Sequence, residues 1–242
     1  MKQTALITGA AKRLGKEMTV HLAKKGWNVA IHFNSSSGQA QNLKMKLQKE
    51  YPNQKFEIFQ TNLSNSAETE KLILKVVDEM GRLDLLINNA SVFDPGYLRE
   101  TDLKLFDLQM SVNFQAPFIL CRDFAKLVKK GLIVNLADTR IAVNKSNYAA
   151  YSISKKALWE LTKMAALEFA PEIRVNAIAP GVTLPPEDKD EAYLNKLAEN
   201  IPMKKPGGIE PILQSLDYIT TNNTLTGQLL FADGGENLGS NP

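Results

Sequence analysis

A tyrosine and a lysine stand four positions apart in the stretch LADTRIAVNKSNYAAYSISK, residues 136–155, as Tyr151 and Lys155. Positions i and i+4 share one face of a helix, so both side chains can point at one ligand. A phenol is a poor base at neutral pH, and a nearby ammonium group favours its ionised form. The pair predicts a proton-transfer site in which Lys155 lowers the pKa of Tyr151; the alternative is a surface Tyr–Lys pair without a function.

A carboxylate side chain, that of Asp138, precedes Tyr151 by thirteen positions. A carboxylate cannot donate a hydrogen bond to a developing oxyanion, and its charge opposes one, so it disfavours ketone reduction unless it is protonated. Reduction of a C=N bond is different, because the nitrogen must receive a proton that a carboxylic acid coupled to Tyr151 can supply or relay. A carboxylate also attracts a substrate rich in N–H donors. Asp138 therefore favours an imine-containing heterocycle as substrate.

The elements that must position these side chains are short apolar runs alternating with longer helical patterns. The runs are too short and too apolar for amphipathic helices, and they are typical of buried parallel strands. Strands interleaved with helices form βαβ units. The pattern predicts an α/β fold with a doubly wound, seven-stranded parallel sheet and helices on both faces. The predicted strands are 4–8, 27–33, 55–60, 83–88, 132–137, 173–179 and 227–233.

The same pattern predicts a single domain over residues 1–242, with one interruption at about 183–208. This segment contains Pro185-Pro186, four acids between positions 187 and 191, and Pro206-Gly207-Gly208. We expect a mobile substrate loop here, with a short helix at about 190–200.

Composition excludes several classes of protein. The chain is 44% hydrophobic and 23% charged, which is typical of a globular protein, and its net charge is only +3. The lysine doublets are scattered, so we expect no nucleic-acid partner, and no segment is apolar enough to predict a membrane partner. The single cysteine, Cys121, suits a reducing compartment and predicts a cytoplasmic location. No cluster has metal-ligand spacing, so we expect no metal.

The stretch TGAAKRLG, residues 8–15, follows the first predicted strand and opens the first helix. Gly9 permits a tight turn, Gly15 permits close helix packing, and the helix N-terminus offers amides to a pyrophosphate. At the end of the second strand, no Asp or Glu occurs between Gly26 and Lys49 to hold ribose hydroxyls. A 2′-phosphate would instead meet the hydroxyls of the HFNSSS turn, residues 32–37, with Lys12 or Arg13. The pattern predicts NADP rather than NAD; the alternative is a polar turn without a ligand.

Together these motifs resemble the classical short-chain dehydrogenase/reductases over essentially the whole chain. The motifs are TGAAKRLG, NNAS at 88–91, Asn113 within SVN, Tyr151-x-x-x-Lys155, Pro180-Gly181 and TGQLLFADGG at 226–235. The resemblance implies a Rossmann-type sheet, a nicotinamide cofactor, hydride transfer and often a homotetramer. Its assembly faces would be the helices around 102–130 and 149–170.

The resemblance also implies residue roles. Tyr151 would be the general acid, Lys155 would bind the nicotinamide ribose, and Asn113 would hold a water in the proton relay. Pro117, four residues after Asn113, should kink the same helix. The implied cofactor-binding set is Gly9, Lys12, Arg13, Leu14, Gly15, His32, Asn34, Ser35, Ser36, Asn62, Leu63, Asn89, Ala90, Tyr151, Lys155, Pro180, Gly181 and Thr183. His32 either contacts the adenine ribose or merely ends a strand.

Within the family, Asp138 together with KRLG in the first turn and NNAS-x-F is similar to the pteridine reductases. The resemblance implies that Phe93 stacks on a pterin ring, Ser91 hydrogen-bonds it, and Arg13 bridges pyrophosphate and pterin. The implied substrate-binding set is Arg13, Ser91, Phe93, Asp138 and Tyr151. The alternatives are a loop-anchoring role for Phe93, a capping hydroxyl at Ser91 and a phosphate ligand at Arg13.

These observations predict an NADPH-dependent reductase acting on C=N bonds of a pterin-like small molecule. Two departures from the family pattern concern the cofactor site: Asn62 replaces the usual Asp near the adenine, and Ser35 replaces a basic residue near the 2′-phosphate. The alternatives are a carbonyl or 3-oxoacyl reductase that tolerates Asp138, and a non-catalytic NADP-sensing module.

Overall fold

The protein is described by a computed structural model that covers residues 2–186 and 189–239. One parallel sheet runs through these residues, in the strand order β3-β2-β1-β4-β5-β6-β7. The seven strands are β1 (Thr4–Ile7), β2 (Asn28–Phe33), β3 (Phe56–Gln60), β4 (Leu85–Asn88), β5 (Gly131–Leu136), β6 (Ile173–Pro180) and β7 (Leu229–Ala232). The predicted fold class and all seven predicted strands are confirmed.

Helices connect the strands and cover the sheet. They are α1 (Arg13–Lys24), α2 (Ser37–Glu50), α3 (Ser66–Thr69), α4 (Leu72–Met80), α5 (Leu103–Met110), α6 (Ala116–Leu127), α7 (Ala149–Phe169), α8 (Glu191–Ala198) and α9 (Glu210–Thr221). Short 3₁₀ turns span Thr139–Ile141 and Glu236–Leu238. Helix α8 corresponds to the short helix expected inside the segment 183–208; residues 187 and 188 of that segment lie outside the described residues.

The sheet is buried on both faces because successive side chains of each strand point to opposite sides. On one side, Ala5 and Ile7 of β1 pack with residues of α1, α2 and α9. On the other side, Leu6 packs with residues of α4, α6 and α7. This two-sided burial explains why the strands are continuous apolar runs in the sequence.

The strand order reverses at β1, which lies between β2 and β4. The chain runs from β1 through β2 to β3 on one side, and from β4 to β7 on the other. In open parallel sheets, ligands bind in the crevice outside the carboxyl ends of the strands at such a reversal. The turns that follow β1 and β4 are therefore expected to border a ligand site.

The helix around Asn113 is not simply kinked at Pro117. A π-helical turn, Ser111–Gln115, joins α5 to α6, and Pro117 lies in the first turn of α6. Because proline has no N–H, the carbonyl of Asn113 receives no hydrogen bond from position 117. The wider π turn absorbs this loss, and such turns often occur at functional sites.

Candidate active site

The predicted site residues gather at one edge of the sheet because they follow the carboxyl ends of parallel strands. Gly9 follows β1, Asn89 follows β4, Asp138 follows β5, and Gly181 follows β6. Helix α7 begins near the same edge and contributes Tyr151 and Lys155 from its first two turns.

Asp138, Tyr151 and Lys155 form a connected group. The hydroxyl of Tyr151 donates a hydrogen bond of 2.7 Å to Oδ2 of Asp138. The ammonium group of Lys155 donates to the carbonyl oxygen of Leu136, the last residue of β5, at 2.8 Å. The Lys155 Nζ also lies 5.7 Å from the centre of the Tyr151 ring. Tyr151 and Lys155 are both buried, so the group is a fixed arrangement rather than a flexible surface pair.

The carboxylate of Asp138 is held in place by the backbone. Asp138 is the N-cap of the 3₁₀ turn Thr139–Ile141, and its Oδ1 accepts the N–H of Arg140 at 2.8 Å. Its other oxygen accepts the Tyr151 hydroxyl. Both oxygens are acceptors, which is the bonding expected of an ionised carboxylate. The proton of this group therefore belongs to Tyr151.

The pKa of Tyr151 differs from the sequence-based expectation. Burial, and then the charge of Asp138, raise the pKa of Tyr151 well above its usual value. The charge of Lys155 does not offset this increase, and burial lowers the pKa of Lys155 itself to about 8. The expectation that the pKa of Tyr151 is lowered is therefore wrong. The phenol is instead held in its protonated form.

Asn113 is buried within the π turn, and its side chain clamps the loop that follows β4. Its Oδ1 accepts from the Ser91 hydroxyl at 3.1 Å and from the Val92 N–H at 2.9 Å. Its amide nitrogen donates to the Val92 carbonyl at 2.9 Å and to the Ser154 hydroxyl at 3.1 Å. These bonds occupy the side chain, so a water in the proton relay would have to use the backbone carbonyl of Asn113 instead.

A cleft of roughly 620 Å³ lies at the reversal of strand order. It brings together thirteen of the residues that the sequence assigned to the cofactor: Gly9, Lys12, Arg13, Leu14, Gly15, His32, Asn34, Ser35, Ser36, Asn62, Leu63, Asn89 and Ala90. Ser91, which was expected to contact substrate, lines this cleft as well. Val92, Leu108 and Val112 also line this cleft, and no sequence motif marked them, because they come from a loop, α5 and the π turn.

The first turn fits a pyrophosphate. Gly9 has a φ of +63° in the left-handed region, and a Cβ on Gly15 would lie 2.2 Å from the carbonyl oxygen of Gly9. Arg13 has a φ of +52°, which is uncommon for a residue with a side chain and occurs mainly at functional sites. Helix α1 has no acid in its first turn. Its N-terminal amides and partial positive charge therefore suit a bound anion.

His32 lies inside the wall of this cleft. It is 1% exposed, its Nδ1 accepts the Gly9 N–H at 3.0 Å, and its Nε2 lies 3.0 Å from the Thr61 carbonyl oxygen. Burial lowers the pKa of His32 to about 4. Both ring nitrogens are used by the backbone of this chain, so His32 does more than end a strand.

A second cleft, of roughly 1000 Å³, lies on the other side of Arg13. It contains the predicted residues Arg13, Phe93, Asp138, Pro180, Gly181 and Thr183, together with residues of α8. Gly181 is required here, because a Cβ would lie 2.7 Å from the backbone of Asp233. Arg13 alone lines both clefts among the described residues, so it can contact ligands in each of them.

The ring of Phe93 is covered on one face. It stacks on Tyr148 with ring centres 4.2 Å apart and an angle of 2° between the planes. The guanidinium of Arg140 lies 4.6 Å from the centre of the Tyr148 ring. Tyr148 and Arg140 were not predicted from the sequence, although Tyr148, the N-cap of α7, precedes Tyr151 by three positions and so can lie on the same side of the helix. A substrate ring on this face of Phe93 would have to displace Tyr148.

The described residues contain no group of three or more His, Cys, Asp or Glu side chains that could hold a metal ion. No helix in that part of the chain is long and apolar enough to cross a membrane.

Comparisons with known proteins extend these observations. Residues 3–192 match the family model described as short chain dehydrogenase. An uncharacterized oxidoreductase of Thermotoga maritima is 32% identical over 96% of this chain and 96% of its own. A 3-oxoacyl-[acyl-carrier-protein] reductase of Staphylococcus epidermidis is 29% identical over 97% of this chain and 99% of its own.

Two solved structures are similar over nearly the whole chain. The FolM alternative dihydrofolate reductase 1 of Brucella canis, complexed with NADP, is 32% identical with a TM-score of 0.90, and the match covers 99% of this chain and 96% of that one. The corresponding Brucella suis protein, also in complex with NADP, is 31% identical with a TM-score of 0.93, covering 99% and 97%.

Proposed function

Because this chain belongs to the short-chain dehydrogenase family and is an oxidoreductase of that family, we propose that it is an NADPH-dependent reductase of C=N bonds in a dihydropterin-like ring. The hydrogen bond of 2.7 Å between Tyr151 and Asp138 carries this proposal. The reductases of Brucella canis and Brucella suis, whose structures contain NADP, support the same class of cofactor and substrate.

The position of the transferable proton beside Asp138 favours a substrate nitrogen over a substrate oxygen as the atom that accepts it. NADPH, when bound, would supply a hydride to the ring carbon, and the adjacent ring nitrogen would need one proton. Tyr151 holds that proton, because its raised pKa keeps the phenol neutral at physiological pH. An imine nitrogen is basic enough to take the proton before or with the hydride, so no anion has to form beside Asp138, whereas a carbonyl oxygen would develop negative charge facing the carboxylate. Lys155, whose pKa is lowered to about 8, can return a proton to Tyr151 after turnover.

The adenosine end of the cleft supports NADP rather than NAD. Helix α2 begins at Ser37 next to the cleft, has no acid in its first turn, and its N-cap residue Ser36 makes no side-chain capping bond. The hydroxyls of Ser35 and Ser36 line the cleft at this point. A 2′-phosphate would meet these hydroxyls and the N-terminus of α2, both of which suit an anion.

The substrate would occupy the second cleft, with Asp138 at its inner edge. Arg13 lines this cleft and the cofactor cleft, which supports a contact to both ligands. Ser91 lies close enough to Tyr151 that its hydroxyl lowers the pKa of the phenol, although burial and Asp138 outweigh this effect. Ser91 therefore stands where the proton leaves. For Phe93 to stack on a substrate ring through the face that Tyr148 covers, Tyr148 would have to move aside.

We also propose the features that the family resemblance implied beyond the site. The chain would act as a single cytoplasmic domain in which α8 and its flanking residues close over the substrate. It would assemble as a homotetramer through an apolar face on α6 and α7, where Phe118, Met164 and Leu167 are 47%, 68% and 85% exposed. A patch of this kind is typical of an interface between subunits.

Activity measurements separate the proposal from its rivals. We expect purified protein to oxidise NADPH with 7,8-dihydrobiopterin or dihydrofolate, and the Tyr151→Phe variant to lose that activity. Because the chain is similar to a 3-oxoacyl-[acyl-carrier-protein] reductase, acetoacetyl thioesters are the competing substrates to test. If the protein turns over these thioesters rapidly and does not turn over dihydropterins, the proposal is wrong and the protein is a carbonyl reductase. Binding of NADPH without turnover of any pterin, quinone or ketone would favour a sensing module.

A further inference from the structure

We propose that His32 is a positioning residue for the cofactor, which joins the pyrophosphate turn after β1 to the adenine wall after β3. The inference rests on the proposed binding of NADPH in the first cleft. It assigns to His32 an indirect role, exerted through backbone groups rather than through contact with the cofactor.

His32 is hydrogen-bonded to the turn after β1 through both its ring and its backbone. Its ring accepts the N–H of Gly9 at 3.0 Å, and its backbone carbonyl accepts the N–H of Ala10 at 2.8 Å. Two successive amides of the turn are therefore held by one residue of β2. The amides of Leu14 and Gly15, farther along, donate to no acceptor among the described residues, and they remain for an anionic ligand.

A further hydrogen bond lies on the opposite side of the His32 ring. Nε2 lies 3.0 Å from the carbonyl oxygen of Thr61, which immediately precedes the cleft residues Asn62 and Leu63. A single rigid imidazole thus spans the distance between the turn that would hold the pyrophosphate and the segment that would hold the adenine. The ring is 1% exposed, so no solvent competes for either bond.

The two ring bonds of His32 require one particular protonation state of the imidazole. A backbone N–H can only donate and a carbonyl can only accept, so Nδ1 must carry a lone pair and Nε2 must carry the hydrogen. Only the neutral ring with hydrogen on Nε2 satisfies both partners. Burial lowers the pKa of His32 to about 4, which keeps this form populated at neutral pH.

Two substitutions separate the two bonds. In His32→Asn, Oδ1 takes the place of Nδ1 and can accept from Gly9, but the side chain is too short to reach Thr61. In His32→Gln, the terminal amide can reach Thr61, while no acceptor remains for Gly9. His32→Leu removes both bonds. Each of the first two variants loses one hydrogen bond, so their melting temperatures without cofactor form a matched comparison.

The test measures the Kd for NADPH by calorimetry, kcat at saturating NADPH with dihydrobiopterin, and Tm without cofactor. Because each of them breaks one half of the link, we expect His32→Asn and His32→Gln to bind NADPH severalfold more weakly than wild type, and His32→Leu about tenfold or more weakly. At saturating NADPH, kcat should stay within about twofold in folded variants, because His32 does not touch the reacting atoms.

The outcomes distinguish this inference from the proposed function. Weakening that simply follows the loss of Tm, or wild-type affinity in either the Asn or the Gln variant, would overturn the role of His32 as a link between the two walls. Wild-type affinity in His32→Leu would do the same. If wild-type protein binds no NADPH, the proposed function fails and this inference fails with it, whereas wild-type binding with insensitive variants refutes the role of His32 alone.

Discussion

Replacing Asp138 with Asn is the most direct perturbation of the proposed chemistry. The change removes one negative charge but keeps the size of the side chain. Its Oδ1 can still accept the Arg140 N–H, which holds the turn after β5. Its Nδ2 then faces the Tyr151 hydroxyl in place of the oxygen that accepts it at 2.7 Å. A donor now stands where an acceptor stood, so the ionised phenol is favoured.

The size of the effect follows from the separation of the two oxygens. Two unit charges 2.7 Å apart repel by about 6 kcal/mol at an effective dielectric constant of about 20. Water at the mouth of the cleft screens part of this, so we take about half, roughly 3 kcal/mol. The ionisation constant of Tyr151 in Asp138→Asn should therefore rise by about 100-fold or more.

Two assays check this prediction. Ultraviolet difference titration of Asp138→Asn, with the Asp138→Asn/Tyr151→Phe double variant as the blank, reports ionisation of Tyr151 alone. Steady-state assays should show dihydropterin turnover reduced by about 100-fold, since the Tyr151 hydroxyl loses the acceptor that orients it and general-acid catalysis by a positioned group has that order of effect. Asp138→Ser should lose the same activity while ketone turnover stays flat or rises.

Two results would refute the reasoning. If Tyr151 titrates at the same pH with and without the Asp138 carboxylate, the two groups are not electrostatically coupled. If Asp138→Asn reduces dihydropterins at the wild-type rate, the carboxylate has no part in delivering the proton.

Four further predictions concern cofactor choice, pH and assembly. Ser36→Asp should weaken NADPH binding by about 2 kcal/mol, roughly 30-fold, through repulsion of the 2′-phosphate, with NADH unaffected; Ser36→Asn is the neutral control, and calorimetry measures both. The kcat/KM for reduction should fall as pH rises above about 8, because Lys155 loses its proton there; a profile that stays flat to pH 10 contradicts this. The unfolded chain binds a proton at His32 below pH 6.5, whereas the native ring does so only near pH 4, so the free energy of unfolding should fall by about 3 kcal/mol as pH drops across this window. Chemical denaturation should show this dependence of the unfolding free energy on pH. In His32→Asn the slope should be smaller by the contribution of one proton. Met164→Glu on α7 should give smaller assemblies in light scattering, whereas Met45→Glu on α2, a position 54% exposed, should not; unchanged mass would exclude this face.

The strands and the cofactor cleft could be predicted because each depends on local sequence. A parallel strand buried on both faces must be apolar throughout, as Leu85, Leu86 and Ile87 are. The ends of such strands meet at one edge, so motifs after β1, β2 and β4 lead directly to one cleft. Thirteen predicted residues line it for this reason.

Features that depend on long-range contacts could not be predicted in this way. The stacking of Phe93 on Tyr148 joins a loop after β4 to the start of α7, which a parallel bridge between Gly96 and Tyr148 fixes. The wrong expectation for Tyr151 has a similar cause. The sequence gives the lysine four residues away, but it does not show how deeply both side chains are buried, and burial is the largest influence on each pKa.

The fold cannot choose the substrate, because one fold supports many reactions. The relatives illustrate this, since a 3-oxoacyl reductase and two alternative dihydrofolate reductases match the same residues over nearly their whole length.

The choice of substrate must come from the charge that the reacting atom meets. In the proposed reaction that atom would meet a phenol kept neutral by burial and by a carboxylate 2.7 Å away. Once the proton had left Tyr151, a phenolate would stand beside Asp138, and proton transfer from Lys155 would relieve this repulsion. Lys155 is suited to this because burial has brought its pKa to about 8. The same phenolate beside Asp138 forms in both directions, so the ratio of the two kcat/KM values is set by the reaction equilibrium and not by this group. In the oxidation direction Tyr151 must lose its proton before it can accept one, so oxidation of a tetrahydropterin by NADP⁺ should be slow at neutral pH and should speed up as pH rises.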